Sequence, residues 1–329
     1  MALAAHGRDA GSITDFGREE NIHKVLFTFS LIAAAGYIWR FFDFGGLDRH
    51  RVRHALSTAV FHVFLPALAF GLIAGATVDW SFIAVPLTAA AATLACLAVG
   101  YGIYHFLPQL RQIPRPALGV LLLSSAFGNV TYLGLPVINE TLGPQYGYVA
   151  ILYDLLATTP ILLTLGVLIA ARTGSGKAVS LRASLKRVFL LPPLWGVALG
   201  MAVHLLPVKV PALILDAAAL MGRAVIPVMI FTVGLALDFR DFGRLPLALP
   251  ALAVKLFLAP VLTWWAGSFL GVSGSVLQAL ALEGAMPVMV LSLVIADEFC
   301  LDVPLAATCI AVSTLASLVT APLIFRLPV

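Results

Sequence analysis

Two stretches of this sequence combine residue types able to bind a small anion inside a nonpolar medium. The first is Ser124-Ser125-Ala126-Phe127-Gly128-Asn129-Val130-Thr131-Tyr132-Leu133-Gly134-Leu135-Pro136, which sets two glycines, an amide, a hydroxyl and a proline within one long apolar run. Pro136 has no N–H to donate and clashes with the carbonyl four residues back. Gly128 and Gly134 permit unwound backbone. In lipid such an interruption survives only where protein or a water-filled cavity surrounds it. Pro136 is expected to begin a second half-helix, whose free N–H groups and positive dipole end would face the bilayer centre. The second stretch, Glu283-Gly284-Ala285-Met286-Pro287, repeats the device, with its half-helix expected to start near Pro287. Two such N-termini meeting at mid-depth suit an anion. Asn129 can donate amide hydrogen bonds to a carboxylate. A simple proline kink is the plain alternative.

Three ionisable residues fall near the same depth. Glu283, Asp154 and Lys255 each lie about nine residues from a span end, or roughly 13 Å deep at 1.5 Å per residue. A charge there costs about 2.5–3.5 kcal/mol on insertion scales, so such residues are buried, paired or functional. One reading is a fixed ion pair, Lys255 with Glu283 or Asp154. The other makes Glu283, and after it Asp154, the carrier of a coupling proton or Na⁺. Glu283→Gln is then expected to keep binding and lose its pH or ion dependence. Arg223, Asp216 and His62 read as structural pairing or a subunit contact.

Composition explains why lipid must be considered. The 329 residues are 61% hydrophobic and 11% charged, with a mean hydropathy of +1.02. Soluble proteins carry about 25% charged residues. Ten stretches are long and apolar enough to span, at roughly 24–42, 54–76, 81–106, 115–142, 146–171, 187–206, 211–237, 247–270, 275–297 and 303–326. Residues 1–23 form a polar tail without the apolar segment of a signal peptide. Residues 24–171 and 187–329 make two five-helix halves joined by the linker 172–186. Phe64-Leu65-Pro66, Phe70, Gly71 and Asp79 in the first half are echoed by Val225-Ile226-Pro227, Phe231, Gly234 and Asp238 in the second. Five spans per half must enter the membrane in opposite directions, as in the inverted repeats of many secondary transporters. The expected fold is therefore an all-α membrane protein of ten transmembrane helices in two inverted five-helix repeats, with helices four and nine broken and crossing.

The net charge of +4 does not indicate nucleic acid, because the basic residues sit in loops, where they set orientation. Connections after odd-numbered spans hold 13 of the 20: Arg40, Arg49, Arg51, Arg53, Arg111, Arg115, Arg172, Lys177, Arg182, Lys186, Arg187, Arg240 and Arg244. The opposite face holds five: Arg8, Arg18, Lys24, Lys209 and Arg326. Both termini are then expected outside the cytoplasm of a bacterial inner membrane.

Other apparent motifs carry less. Thr173-Gly174-Ser175-Gly176-Lys177 resembles a phosphate loop but follows no strand. His50 and His54 have metal-ligand spacing, but Arg49, Arg51 and Arg53 would repel a cation. Gly71-x-x-x-Gly75 and Gly196-x-x-x-Gly200 permit close helix packing. Cys96, Cys300 and Cys309 form neither a disulfide framework nor a metal spacing. No nucleophile–base constellation marks an enzyme, and no cofactor is expected beyond a coupling ion.

The run Phe127-Gly128-Asn129-Val130-Thr131-Tyr132-Leu133-Gly134-Leu135-Pro136 resembles the FGNTGFLGLP motif of the auxin efflux carrier family, which includes malonate-type permeases. The resemblance extends from about residue 24 through Gly36-Tyr37, Phe64-Leu65-Pro66, Pro227 to Gly234 and Leu237, Met286-Pro287, Ala296, Asp302, Ala306, Ser313-Thr314 and Pro322. It implies an organic anion bound where spans four and nine cross, near Gly128, Asn129, Thr131, Tyr132, Pro136, Met286, Pro287 and Ser292. It also implies a scaffold of spans one, two, six and seven, a moving domain of the other six, and a homodimer through spans two and seven. Val130-Thr131 stand in place of the family's Thr-Gly. Leu291, followed by Ser292, stands where an amide is common, and Glu283 where a small residue is usual. The alternative is a sodium-coupled symporter of bile-acid type or a cation/proton antiporter; whether substrate binding needs Na⁺ or follows pH separates them.

The charge asymmetry generates a topology test. A cysteine placed at position 177 in a cysteine-free background is expected to resist impermeant thiol reagents in intact cells and to react after permeabilisation. Labelling from outside would invert the orientation.

Overall fold

The computed structural model describes residues 15–42, 46, 48–107, 113–174, 179–206, 210–237 and 242–326. Arg8, Arg111, Lys177, Lys209 and Arg240 of the charge count, Asp238 of the repeat and residues 175–178 lie outside the described residues. Thirteen helices run among the described residues: α1 (Asp15–Trp39), α2 (Arg49–Gly75) and α3 (Ser81–Phe106), α4 (Arg115–Ala126), α5 (Leu135–Thr141), α6 (Pro144–Thr173), α7 (Leu181–Phe189), α8 (Pro192–Leu205), α9 (Ala212–Ala236), α10 (Leu245–Phe269), α11 (Gly274–Gly284), α12 (Leu291–Glu298) and α13 (Val303–Phe325). Seven are continuous, long and apolar enough to cross a membrane, and α7 with α8 makes an eighth if counted as one span bent by 57°. The stretches expected as spans four and nine are each two shorter helices, α4 with α5 and α11 with α12.

Three boundaries differ from expectation. Helix α1 begins at Asp15, inside the stretch expected as a tail. The stretch 187–206 is not one straight span, because Pro192 and Pro193 cannot extend α7 and hold Leu191 in extended backbone. Pro136 does not start the half-helix after the first break. The break lies upstream at Phe127–Asn129, and the helix resumes at Val130 with a π-helical turn, Val130–Gly134, that leads into α5.

That π turn belongs to a pattern. Wide turns at Val60–Phe64, Val130–Gly134, Asp154–Thr158 and Val254–Leu258 each stand just before a proline, namely Pro66, Pro136, Pro160 and Pro260. A proline removes one donor and crowds the carbonyl four residues back. In all four cases that carbonyl lies within the wide turn, where π geometry relaxes the crowding.

Packing is close where glycines let backbones touch. A Cβ on Gly36 would strike the Phe231 carbonyl of α9, and one on Gly234 would strike the Ala33 carbonyl of α1. Gly196 of α8 meets the Pro66 carbonyl of α2 in the same way, and Gly200 meets Ile73. The expected close packing therefore holds for Gly196 and Gly200. Gly71 finds only the Ala218 Cβ at 3.6 Å, and Gly75 has nothing within 4 Å. Elsewhere the Tyr104 hydroxyl donates to Leu247 O at 2.9 Å and accepts from Ala251 N at 3.1 Å, bridging a donor and acceptor four residues apart on α10.

The buried apolar residues form two clusters. One gathers α1, α9, α11, parts of α2 and α3, α5, the start of α6 and the C-terminal end of α13. The other gathers α4, α12, α13 and the remaining parts of α3, α6 and α10. Both broken segments pass from one cluster to the other, since Val130 and Met286 belong to the first and Phe127 and Val288 to the second.

Backbone contact at the α1–α9 crossing sets a stability test. Gly234→Val is expected to cost about 1–3 kcal/mol through overpacking, read as a lower thermal midpoint. Gly102→Ala, with nothing within 4 Å of the new Cβ, should leave the midpoint unchanged or slightly higher. Equal midpoints for both variants would show that the crossing is not close-packed.

Candidate functional site

The two interruptions meet each other. Asn129 N–H donates to Pro287 O at 2.7 Å, and Met289 N–H donates to Phe127 O at 3.0 Å. Gly128 and Val288 thus face one another as a single antiparallel bridge, a fragment of β-ladder inside a helical protein. Val288 N–H is taken by Ser313 Oγ of α13 at 3.0 Å. Three of the unwound backbone N–H groups are thus taken by the other break or by a side chain.

A cavity of about 330 Å³ opens against this ladder. Asn129, Thr131, Tyr132, Asp154 and Met289 line one side, and His54, Thr58, Phe61 and His62 of α2 line the facing side. Asn129 is 1% exposed, and its amide Nδ2 has no hydrogen-bond acceptor among the described residues. A buried donor left unpaired carries a penalty, which a ligand that accepted from Nδ2 would remove. Smaller cavities continue along α2 toward Arg53 and Arg49, adding positive charge on the approach.

The sequence-derived residues divide by position. Asn129, Thr131 and Tyr132 reach the cavity. Gly128 and Pro287 lie in the ladder itself. Met286 lines a separate apolar cavity of about 220 Å³ beside α1, α9 and α13. Pro136 is buried on α5 behind the wide turn. Ser292 is 3% exposed with its hydroxyl unpartnered, but Met289 and Leu291 hold the cavity wall in its place.

The ionisable residues correct the expected ion pair. Asp154 accepts hydrogen bonds from Thr131 Oγ1 and, at 2.7 Å, from Thr159 Oγ1. Lys255 Nζ donates to Gly284 O at 2.5 Å. Neither Glu283 oxygen has a hydrogen-bond partner among the described residues. Lys255 therefore hydrogen-bonds to backbone rather than to either carboxylate, taking the carbonyl at the C-terminal end of α11. Asp216 and Arg223 are both exposed on α9, and no ion pair joins them among the described residues. His62 donates through Nδ1 to Thr58 O at 2.9 Å and lines the cavity.

On sequence grounds no residue of α2 has a place at the site; His54 and His62 are named in other roles, and Thr58 and Phe61 in none. His54, Thr58, Phe61, His62 and Leu65 recur at helical spacing and line one cavity. Polar side chains on one stripe of an otherwise apolar span were the available signal. Thr159 was likewise missed, its role visible only through Asp154.

Known proteins agree with this architecture. A family model described as "Membrane transport protein" matches residues 21–325. An uncharacterized transporter of Methanothermobacter thermautotrophicus is 33% identical over 208 residues, covering 62% of this chain and 66% of the relative, just under two thirds of its length. An uncharacterized transporter of Methanocaldococcus jannaschii is 25% identical over 296 residues, 88% of this chain and 92% of the relative. An all-helical membrane architecture, the paired breaks and a family match over nearly the whole chain agree: this protein belongs to the membrane transport protein family that includes the auxin efflux carriers.

Proposed function

We propose that the protein is a secondary transporter that carries a small organic anion, a carboxylate, across the bacterial inner membrane by alternating access. In this reading α4 with α5 and α11 with α12 are the fourth and ninth of ten spans, arranged as two inverted repeats. The spans α1, α2, α7 with α8, and α9 form a scaffold, and the other six move against it. The anion binds where the broken spans cross. The unpaired amide of Asn129 at the cavity wall carries the reading. Two helix starts at the same place add positive potential, and the arginines along α2 favour anion entry. Asp154, which accepts from the hydroxyls of Thr131 and Thr159, repels an anion when ionised, and the Asn129 amide and the positive potential of the helix starts have to outweigh it. A homodimer is seated through spans two and seven of the scaffold, where Val63 of α2 and Leu213 and Leu220 of α9 are exposed. Native mass spectrometry from lipid is expected to show a dimer; monomer alone across concentrations would remove it.

A thermal-shift screen of the purified protein against mono- and dicarboxylates identifies the ligand. Asn129→Ala is then expected to weaken its affinity about tenfold to a hundredfold, the worth of one hydrogen bond to a charged group. The ligand-free thermal midpoint should change little, since Nδ2 has no partner to lose. Unchanged affinity in a folded Asn129→Ala protein would place the anion elsewhere.

A further inference from the structure

Lys255 and Glu283 sit at the crossing but do not line the cavity. Lys255 is 2% exposed and Glu283 0%. The Lys255 ammonium touches both breaks. It donates to Gly284 O at 2.5 Å, at the end of α11, and a Cβ on Gly128 would stand only 2.9 Å from Nζ. A cation closing a helix C-terminus is favoured there. Glu283 is the next residue back along α11. Its carboxyl group lies against Gly134 of the other broken segment, where an added Cβ would strike both oxygens. No donor reaches either oxygen among the described residues. A sealed carboxyl group without donors is tolerated as the neutral acid, not as the ion.

We infer that Glu283 holds a proton in this conformation and that Lys255 is the built-in cation that replaces it. When the Glu283 O–H bond breaks, its proton passes to water and the electron pair stays on the carboxylate. The ammonium then leaves Gly284 O and pairs with that carboxylate. Lysine suits such an exchange, being a point charge on a flexible stem. The charge balance ties this to the transporter reading, on which its purpose rests. With Glu283 neutral and a monoanion bound, the crossing carries the same total charge as with Glu283 ionised and the site empty, whatever Asp154 contributes to both. The two half-loaded combinations differ from that total by one unit. A carrier that crosses only at this constant charge moves one proton with one anion, and each favours binding of the other.

The titratable groups within electrostatic reach of the pair are Asp154 and Tyr153 from α6 and Cys96 from α3. Tyr132, on the wide turn after the first break, faces Asp154 in turn. Tyrosine and cysteine are ordinarily neutral near pH 7. Asp154 is held by its two threonines in both combinations, leaving Glu283 as the group that changes.

Infrared difference spectra of the full-length protein in lipid, between acidic and alkaline pH and without substrate, test the exchange. A protonated-carboxyl band is expected at acidic pH, lost at alkaline pH and absent throughout from Glu283→Gln. In Lys255→Met the band should persist, its midpoint displaced upward by about one pH unit or more. Lys255→Arg should stay near the natural profile. If Lys255 merely capped α11, Lys255→Met would lower the thermal midpoint and leave the band's pH dependence where it was; that result overturns the proposal. A spectrum in which Glu283→Gln removes no component of the protonated-carboxyl signal, the chain's other carboxyl groups being common to both proteins, overturns it too. So does a band abolished by replacing KCl with NaCl at constant pH, which would assign Glu283 a metal cation. Should Lys255→Met not fold, Lys255→Gln carries the same test. Because no substrate is used, this result stands apart from that of Asn129→Ala.

Discussion

An interrupted helix in a bilayer leaves backbone donors and acceptors with no water to take them, and each unsatisfied group is costly. Here two interruptions occupy the same place and satisfy each other. Asn129 N–H reaches Pro287 O, Met289 N–H reaches Phe127 O, and Ser313 covers the remaining Val288 N–H. Neither break is tolerable alone. The segments therefore have to cross at the Gly128–Val288 contact, and the neighbouring helices have to leave room for that crossing. The passage of both segments between two apolar clusters follows from the same constraint. Polar backbone pairs in the narrow layer between them, and apolar side chains fill the volume on either side.

Proline placement does further work around this point. Each of four prolines is preceded by a π-helical turn. Those turns carry His62, Thr131 with Tyr132, Asp154 and Lys255, the polar residues gathered at the cavity and crossing. A wide turn displaces its side chains from the ordinary helical register, which re-aims a polar group without breaking the span. The same distortion that accommodates the proline ring thus presents the chemistry.

The two buried carboxyl groups show how environment divides identical chemistry. Asp154 stands at the cavity with two hydroxyl donors. Glu283 is sealed against Gly134 with none. Lys255 places a positive charge beside the ladder, held at Gly284 O.

Much of this was legible in the sequence because it depends on local composition. Apolar runs of membrane length, the basic loops, the glycines at 128 and 134 and the two interrupted segments follow from residue types and helical period alone. Asn129 could be singled out because an amide beside a glycine inside an apolar run has few structural uses. What the tertiary structure decided depends on partners far along the chain. Pro136 looked like the start of a half-helix, yet the start lies at Val130, because pairing with residues 287–289 fixes where the backbone unwinds. Ser292 looked close enough to a ligand, but the turn leading into α12 gives the cavity wall to Met289 and Leu291. Lys255 looked like the counter-ion of a carboxylate and instead closes α11 through Gly284 O. Helix spacing places a residue on a face and at a depth. Which polar group it meets there is fixed by the crossing of two segments some 160 residues apart, because only that contact satisfies the backbone of both breaks in the absence of water.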